Sequence, residues 1–431
     1  MTFAALPGFR DFYPDELAGR SHIFAAWRET ARRYGFVEID GPPLEPLELY
    51  TRKSGDEIVG QLYSFEDKGG RAVALRPEMT PTVARMVAAR ASALRKPVRW
   101  FTIPQLFRYE RQQRGRLREH FQLNVDIIGE PDVTADAELL AAGIDMLRAL
   151  GLGAEDFVAR VSDRRLLHAY LGAVGVPEAR QPEVFAIIDK LDRQPAAVSE
   201  EKLRALSLDD DAVRAVLEIT RTTLDQVDGA LDDTVHREVV AAFRRYWRYL
   251  DALGVAEFAR FDLSIVRGLA YYTGIVFELF DARGELRAIC GGGRYDTLLE
   301  TLGGVGLPAL GFGMGDVVLG ELLRARGLLD AHPPALEVWV AFAADDILPD
   351  AMRVAARLRE RGRSVEYALG GQKLSRQLKA AVAAGAREAV ILAAADLARG
   401  EAVVRRLHDG DERHVPLDAW IAGDVALAAG N

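Results

Sequence analysis

LFRYERQQRGRLREHFQLNVDIIGE, Leu106 to Glu130, reads as two strands around an arginine-rich loop. Phe107 and Tyr109 alternate with Arg108 and Glu110. After the loop, Phe121, Leu123, Val125 and Ile127 alternate with Gln122, Asn124 and Asp126. Successive side chains of a strand point to opposite faces, so this period predicts one apolar, buried face and one polar face. The polar face is expected to carry Arg108, Glu110, Gln122, Asn124 and Asp126. Arg111, Arg114, Arg116 and Arg118 fill the loop. A solvated hairpin accounts for the loop arginines. It does not account for a carboxamide and two carboxylates in register with an arginine, because such groups on a sheet face need partners. The hairpin therefore reads as a site for an anion and a polar organic molecule.

Composition sets the outer bounds. The 431 residues leave room for two or three domains of roughly 100 to 200 residues each, and 49% hydrophobic residues suffice for a sizeable core. A single cysteine, Cys290, excludes an intramolecular disulfide framework and suits a reducing cytosol, so a cytoplasmic protein is expected. No apolar run approaches the roughly 18 to 20 residues of a membrane span. The amino terminus lacks the basic start of a signal peptide. A net charge of −9 argues against a dedicated nucleic-acid binder and leaves any such contact to local basic patches.

Before the hairpin, Glu16 to Tyr34 is expected to be helical, with Ile23, Phe24, Trp27, Ala31 and Tyr34 on one stripe and Gly35 as the stop. The strand FVEI and the segment GPPLEP follow. Leu62–Asp67 and Ala72–Arg76 flank Lys68-Gly69-Gly70-Arg71 as a second hairpin. It delivers LRPEMT, with Glu78 just before a helix, Pro81 to Arg90, whose positive end favours a carboxylate.

After the hairpin come a helix over Ala135–Leu150 and a strand over Phe157–Val161. From about residue 172 to 258 the pattern is helical, rich in charge and broken by prolines. This reads as a helical insertion with Phe243, Tyr246, Trp247 and Tyr249 in its core. FDLSIVRG is expected as a strand, and a hairpin turning at Ala282-Arg283-Gly284-Glu285 ends in CGGGRYD. That glycine run has no Walker lysine and reads as a close approach of backbone to a ligand. Pro308 to Leu323 is a strand feeding a helix. Beyond a linker at 331–334, strands at 338–342, 364–368 and 389–393 alternate with helices at 349–361 and 373–385, giving a small parallel α/β domain.

Several of these stretches resemble one family. FRYE, a basic loop and a returning strand resemble motif 2 of the class II aminoacyl-tRNA synthetases, and GRLREHFQLNVDIIG resembles the histidyl-tRNA synthetase version. PGFRDFYPDE resembles the opening of that family, and the long helix, strand and Pro42 resemble motif 1. RGLAYYT and GGRYD resemble its two histidine motifs. QKLSRQLKAAVAAGAREAVIL, with Arg376 and Lys379, resembles the anticodon-binding domain. Ala270 and the GDVV stretch resemble the plant-like and bacterial branch. The resemblance covers nearly the whole chain and implies an α+β fold. A class II antiparallel-sheet catalytic domain is expected over 1–330, interrupted by the insertion at about 172–258. An α/β anticodon-binding-like domain is expected over 336–431.

The implied activity is that of a histidine–tRNA ligase. Such an enzyme activates L-histidine with ATP and Mg²⁺ to histidyl-adenylate, then transfers histidine to the 3′ end of tRNA(His). The resemblance also implies a homodimer, here expected to bury Phe24 and Trp27 of the motif 1 helix. Arg267 and Arg108 would be the catalytic pair on the α-phosphate and would also border the histidine. Glu78, assisted by Thr80, would hold the α-amino group. Gln122, Asp126, Tyr271 and Tyr272 would receive the imidazole. Glu110 and Arg116 would hold adenine and the outer phosphates, and His120 or Phe121 would stack on the base. No metal ligand is assigned.

Three departures from the family pattern stand out. Met79 replaces a common glycine and would narrow the pocket. Asp126 replaces a common glutamate. Motif 3 reads Gly315-Asp316-Val317-Val318 where the general motif has G-L-E-R, so its arginine is missing and Arg116, then Arg118, would cover the outer phosphates. The alternatives are a catalytically silent paralogue that senses histidine as a regulatory subunit, and an RNA-binding module without adenylation. Glu78, Arg108, Arg267 and residues 336–431 argue against the regulatory subunit.

Overall fold

The strand returning from the arginine-rich loop lies inside the main sheet and turns its side chains to the two faces alternately. The computed structural model describes residues 3–52, 59–110, 117–191, 194–231, 234–266, 271–329 and 336–424. The chain divides into two units, 1–331 and 332–431. In the first, β1 is Val37–Glu38, β2 Leu44–Pro46, β3 Ser64–Glu66, β4 Ala72–Leu75, β5 Val98–Thr102 and β6 Gln105–Phe107. Then come β7, Glu119–Ile128, β8, Phe157–Asp163, β9, Ala259–Phe261, β10, Ile275–Asp281, β11, Cys290–Arg294, and β12, Ala309–Gly315. Among the described residues the main sheet runs β1-β5-β7-β12-β11-β10-β8-β9, with β6 paired to β7, and β2-β4-β3 form a small second sheet. The outermost pairs, β1 with β5 and β8 with β9, are parallel; the pairs between them are antiparallel.

The odd-numbered side chains of β7 face the core. Leu123, Val125 and Ile127 are wholly buried in one cluster with Ile23 and Trp27 of the helix Pro14–Arg33, Leu140 of the helix Val133–Arg148, and Phe312. Burying such side chains contributes about 1.5–3 kcal/mol each. Trp27 is wholly buried and Phe24 stacks on it at 5.4 Å. Trp27 is therefore packed inside its own chain, which removes it from the expected dimer surface, while Phe24 is partly buried. Tyr109, expected on the buried face, is 55% exposed. It lies edge-on to Tyr63 at 5.4 Å, under the Arg118 guanidinium at 4.1 Å.

Among the described residues the helical stretch forms six main helices, from Arg164–Ala173 to Thr234–Ala252. Phe243 and Tyr246 are wholly buried, as expected for core, but the cluster they join is the one beneath the main sheet. The described part of FDLSIVRG, residues 261–266, is not the expected strand: β9 ends at Phe261. The Asp262 carboxylate accepts from the Ser264 amide at 3.1 Å, and Ile265 N donates to the Asp262 carbonyl at 3.2 Å. This local side-chain turn competes with a sheet ladder.

The second unit has its own core around Val340, Phe342, Ala381, Val390 and Val404. Its strands are β13, Val338–Phe342, β14, Val365–Tyr367, β15, Glu388–Leu392, β16, Glu401–Arg406, and β17, Glu412–Pro416, in the order β14-β13-β15-β16-β17. The expected parallel part is β14-β13-β15, and β16 and β17 add an antiparallel hairpin. Only Ala402, Val404 and Val415 of that hairpin are buried, which is too few apolar residues to announce it in the sequence.

Candidate active site

The even-numbered face of β7 carries His120, Gln122, Asn124 and Asp126. Across the sheet Asp126 lies in one row with Trp100, Gly311 and Gly293, and Asn124 in the next with Thr102, Gly313 and Gly291. Beside both polar side chains the neighbouring positions on β12 and β11 are thus glycine. A Cβ on Gly311 would come within 2.4 Å of Asp126 Oδ1, and one on Gly313 within 2.8 Å of Gln122 Cδ. A Cβ on Gly293 would meet Tyr272 Cδ1 at 3.0 Å and the Ile275 carbonyl at 2.6 Å. These glycines leave space in which the protein's own polar and aromatic side chains lie over the sheet.

Asp126 ends this lane. It is buried, and the Tyr295 hydroxyl donates to its Oδ1. Burial, opposed by the Tyr295 bond, pushes the Asp126 carboxyl up to about 7. Tyr271 stands edge-on to Tyr295 at 5.8 Å and 5.0 Å from Tyr272, so three aromatic rings gather at the carboxyl. Met79 is wholly buried in the same hydrophobic cluster as Tyr272 and Tyr295, as part of the packing.

The Tyr295 loop is anchored by its neighbour. Arg294 is buried against Asp136 and also donates to the carbonyls of Glu130 at 3.0 Å and Asp132 at 3.3 Å, and to Asp296 at 3.2 Å. Its own carbonyl accepts from the Thr273 amide at 2.8 Å, one residue after Tyr272. Arg294 thus joins three segments: its guanidinium reaches the end of β7 and the helix Val133–Arg148, and its backbone carbonyl the loop of the tyrosine pair.

At the other end, Arg108 Nε donates to the Pro77 carbonyl at 2.9 Å, which brings the guanidinium to the turn that carries Glu78. Glu78 is buried, and Thr80 opens the helix Thr80–Arg90. Arg76, two residues earlier, is buried and donates to Asp40 at 2.8 Å, the Gly41 carbonyl at 2.7 Å and the Gln105 carbonyl at 3.0 Å. Glu110 is buried beside the root of the loop, and its amide donates to the Arg108 carbonyl at 2.8 Å. Burial, with Arg108 and Arg10 nearby, lowers the His120 imidazole to about 3, so the ring is neutral near pH 7.

Of the two rings expected over a base, Phe121 is turned to the opposite face. It packs edge-on to Phe24 at 5.4 Å and Phe12 at 6.3 Å, beneath the Arg20 guanidinium at 4.5 Å. The period of two along β7 explains this: His120 and Phe121 cannot share a face. Arg267 and Arg116 lie outside the described residues.

The family model for histidyl-tRNA synthetase matches residues 8–315, and that for the anticodon binding domain matches 337–423. The chain belongs to the histidyl-tRNA synthetase family. A histidine–tRNA ligase of Opitutus terrae is 46% identical over 424 residues, which cover 96% of each chain. The chloroplastic/mitochondrial histidine–tRNA ligase of Arabidopsis thaliana is 41% identical over 95% of this chain and 84% of its own. The crystal structure of histidyl-tRNA synthetase from Nostoc sp. PCC 7120 matches with a TM-score of 0.83 at 25% identity, over 99% of this chain and 100% of that one.

In this histidyl-tRNA synthetase family member, motif 2 is the β6–β7 hairpin, and GGRYD supplies Arg294 and Tyr295. Neither residue was expected to serve the site. Tyr295 is legible in GGRYD as the residue that follows the glycine run and Arg294. The Arg294–Asp136 pair spans 158 positions and left no local signal.

Proposed function

We propose that the protein is a histidine–tRNA ligase, which activates L-histidine with ATP and passes it to the 3′ end of tRNA(His). The observation that carries this reading is the polar lane on the even face of β7, from the Asp126 carboxyl and its tyrosines to Arg108 beside Glu78. Asp126 would accept the imidazole N–H, with Gln122, Tyr271 and Tyr272 around the ring. Such buried polar partners matter because an apolar pocket separates near-isosteres by only about 1–3 kcal/mol, whereas unmet hydrogen bonds reject by roughly 10⁴-fold. Glu78 and Thr80 would take the α-amino group.

The chemical step is attack of a histidine carboxylate oxygen on the α-phosphorus, with pyrophosphate leaving. Charge develops on the phosphoryl oxygens, and a planar, permanently charged guanidinium suits that position. Arg108 and Arg267 are assigned to it from opposite sides. His120 would stack on adenine, Glu110 would hold the base, and Arg116 would reach the outer phosphates. Arg118 is committed elsewhere: its Nε donates to the Glu110 carbonyl at 3.3 Å and its guanidinium lies on Tyr109. Among the described residues the one three-ligand group of metal-binding type, Asp396, Glu401 and His414, lies in the other unit. Mg²⁺ would arrive on the nucleotide and neutralise phosphate charge.

A homodimer and a cytoplasmic location belong to the same proposal. Trp27 being internal, the dimer would use other parts of the motif 1 region, where Val37 is 61% exposed. Domain limits of 1–330 and 336–431, with an insertion at about 172–258, are proposed as well, the second domain binding the anticodon through the face that bears Arg376 and Lys379. Among the described residues no helix is long and apolar enough to cross a membrane. The test is pyrophosphate exchange with each of the twenty amino acids: exchange with histidine alone is expected. Histidine binding without exchange would instead mark a regulatory paralogue.

A further inference from the structure

The opening segment Pro7–Phe12 crosses the root of the motif 2 hairpin and touches both arms. On the β6 side the Phe9 ring lies 6.4 Å from Phe107 and 6.1 Å from Tyr63. On the β7 side the Gly8 carbonyl accepts from the amides of Arg118 at 3.0 Å and Glu119 at 3.3 Å. Gly8 has φ +87°, and a Cβ there would meet Arg118 Cγ at 2.8 Å, so only glycine lets the segment lie this close.

Arg10 supplies the charge in this contact. Its Nε donates to Glu119 at 2.6 Å and its Nη1 to Asp316 at 3.0 Å. The two carboxylate side chains are 1% and 4% exposed and the arginine 24%, so the group is largely dry. Asp316 uses its other oxygen to accept from the Phe121 amide at 2.9 Å, and Glu119 accepts from Gln105 of β6 at 2.9 Å. One guanidinium therefore reaches the residues on both sides of His120: Glu119 directly, and Phe121 through Asp316. Asp316 is also a residue at which motif 3 departs from G-L-E-R. In this chain that position turns back under β7.

We propose that Arg10 is a positioning residue for the nucleotide, fixing His120 through Glu119 and Asp316 so that the ring meets the adenine. The proposal rests on the reading that the even face of β6 and β7 binds ATP. It assigns a role in adenylation to the opening segment, and it gives the altered motif 3 a mechanical role in place of an ionic one.

The test uses the full-length chain. ATP binding is measured by titration calorimetry, and the KM values for ATP and histidine by pyrophosphate exchange, for wild type, Arg10→Met, Asp316→Asn and the double variant, with melting temperatures alongside. Arg10→Met is expected to weaken ATP binding and raise the ATP KM by about tenfold, with the histidine KM within about twofold. The double variant should be no worse than the sum of the singles and closer to the worse single, because both break one tie. Glu119→Gln, which keeps the shape, should give a smaller rise and serves if Arg10→Met does not fold. Unchanged ATP binding in the folded variants, or equal rises in both KM values tracking lost stability, would overturn the proposal. If wild type binds ATP without histidine-dependent exchange, the ligase reading fails while weaker ATP binding by Arg10→Met still supports the tie.

Discussion

At the scale of single residues, the fold has moved the protonation of two side chains of the proposed site, Asp126 and His120. The Asp126 carboxyl is held near about 7 by burial. Below that pH it carries a proton and no longer presents a free acceptor to an imidazole N–H. The kcat/KM for histidine, which reports the free enzyme, is expected to fall on the acid side of about pH 7, and this limb should vanish in Asp126→Asn, leaving the titration of the substrate itself. Removing the neighbouring hydroxyl in Tyr295→Phe takes away a bond to a charged group worth about 1.5–3 kcal/mol. The histidine KM should rise by about tenfold to a hundredfold while the ATP KM holds; parallel rises would mean that Tyr295 serves the whole pocket. His120 gives a stability prediction. Its imidazole is lowered to about 3 in the folded chain, against about 6.5 in the unfolded one. Between these values only the unfolded chain binds the proton, so the contribution is whole above about 6.5 and is lost as pH falls toward about 3. The melting temperature should drop between pH 7 and 5, and His120→Phe should lessen that drop.

At the scale of elements, alternation along β7 was legible because each face has one character, and it correctly separated Leu123, Val125 and Ile127 from Gln122, Asn124 and Asp126. It also contained the answer for Phe121, which belongs with the odd set. The elements are held to one another by distant pairs. Arg294→Met should leave Asp136 buried without its partner, a loss of about 3–5 kcal/mol for such pairs. A urea midpoint lowered at unchanged m-value would record it. Val318, where motif 3 lacks its arginine, packs partly buried against the main core. Val318→Arg is therefore expected to reduce stability and leave the ATP KM unimproved; a lower ATP KM would show that the guanidinium finds the phosphates after all.

At the scale of the whole molecule, the two units have separate hydrophobic clusters. A chain ending at residue 331 should therefore fold and keep histidine-dependent exchange while losing most tRNA charging, as a charging assay would read. Loss of exchange would show that the second unit is needed for adenylation itself. The helices of the insertion behave differently: they share the core of the main sheet. Deleting 172–258 should unfold the first unit, which circular dichroism would detect.

The sequence alone determined the strand pattern of the hairpin, the order of the motifs, the two-unit layout and most of the polar residues on the even face of β7. Those features are local, written in periods of two and 3.6 and in short motifs. Only the tertiary structure decided that Trp27 is internal, that Tyr295 holds Asp126, that Arg294 reaches Asp136 and that Arg10 ties Glu119 to Asp316. These depend on residues up to 306 positions apart. Their pairing is set by how the sheet and its helices pack, and no spacing along the chain encodes it.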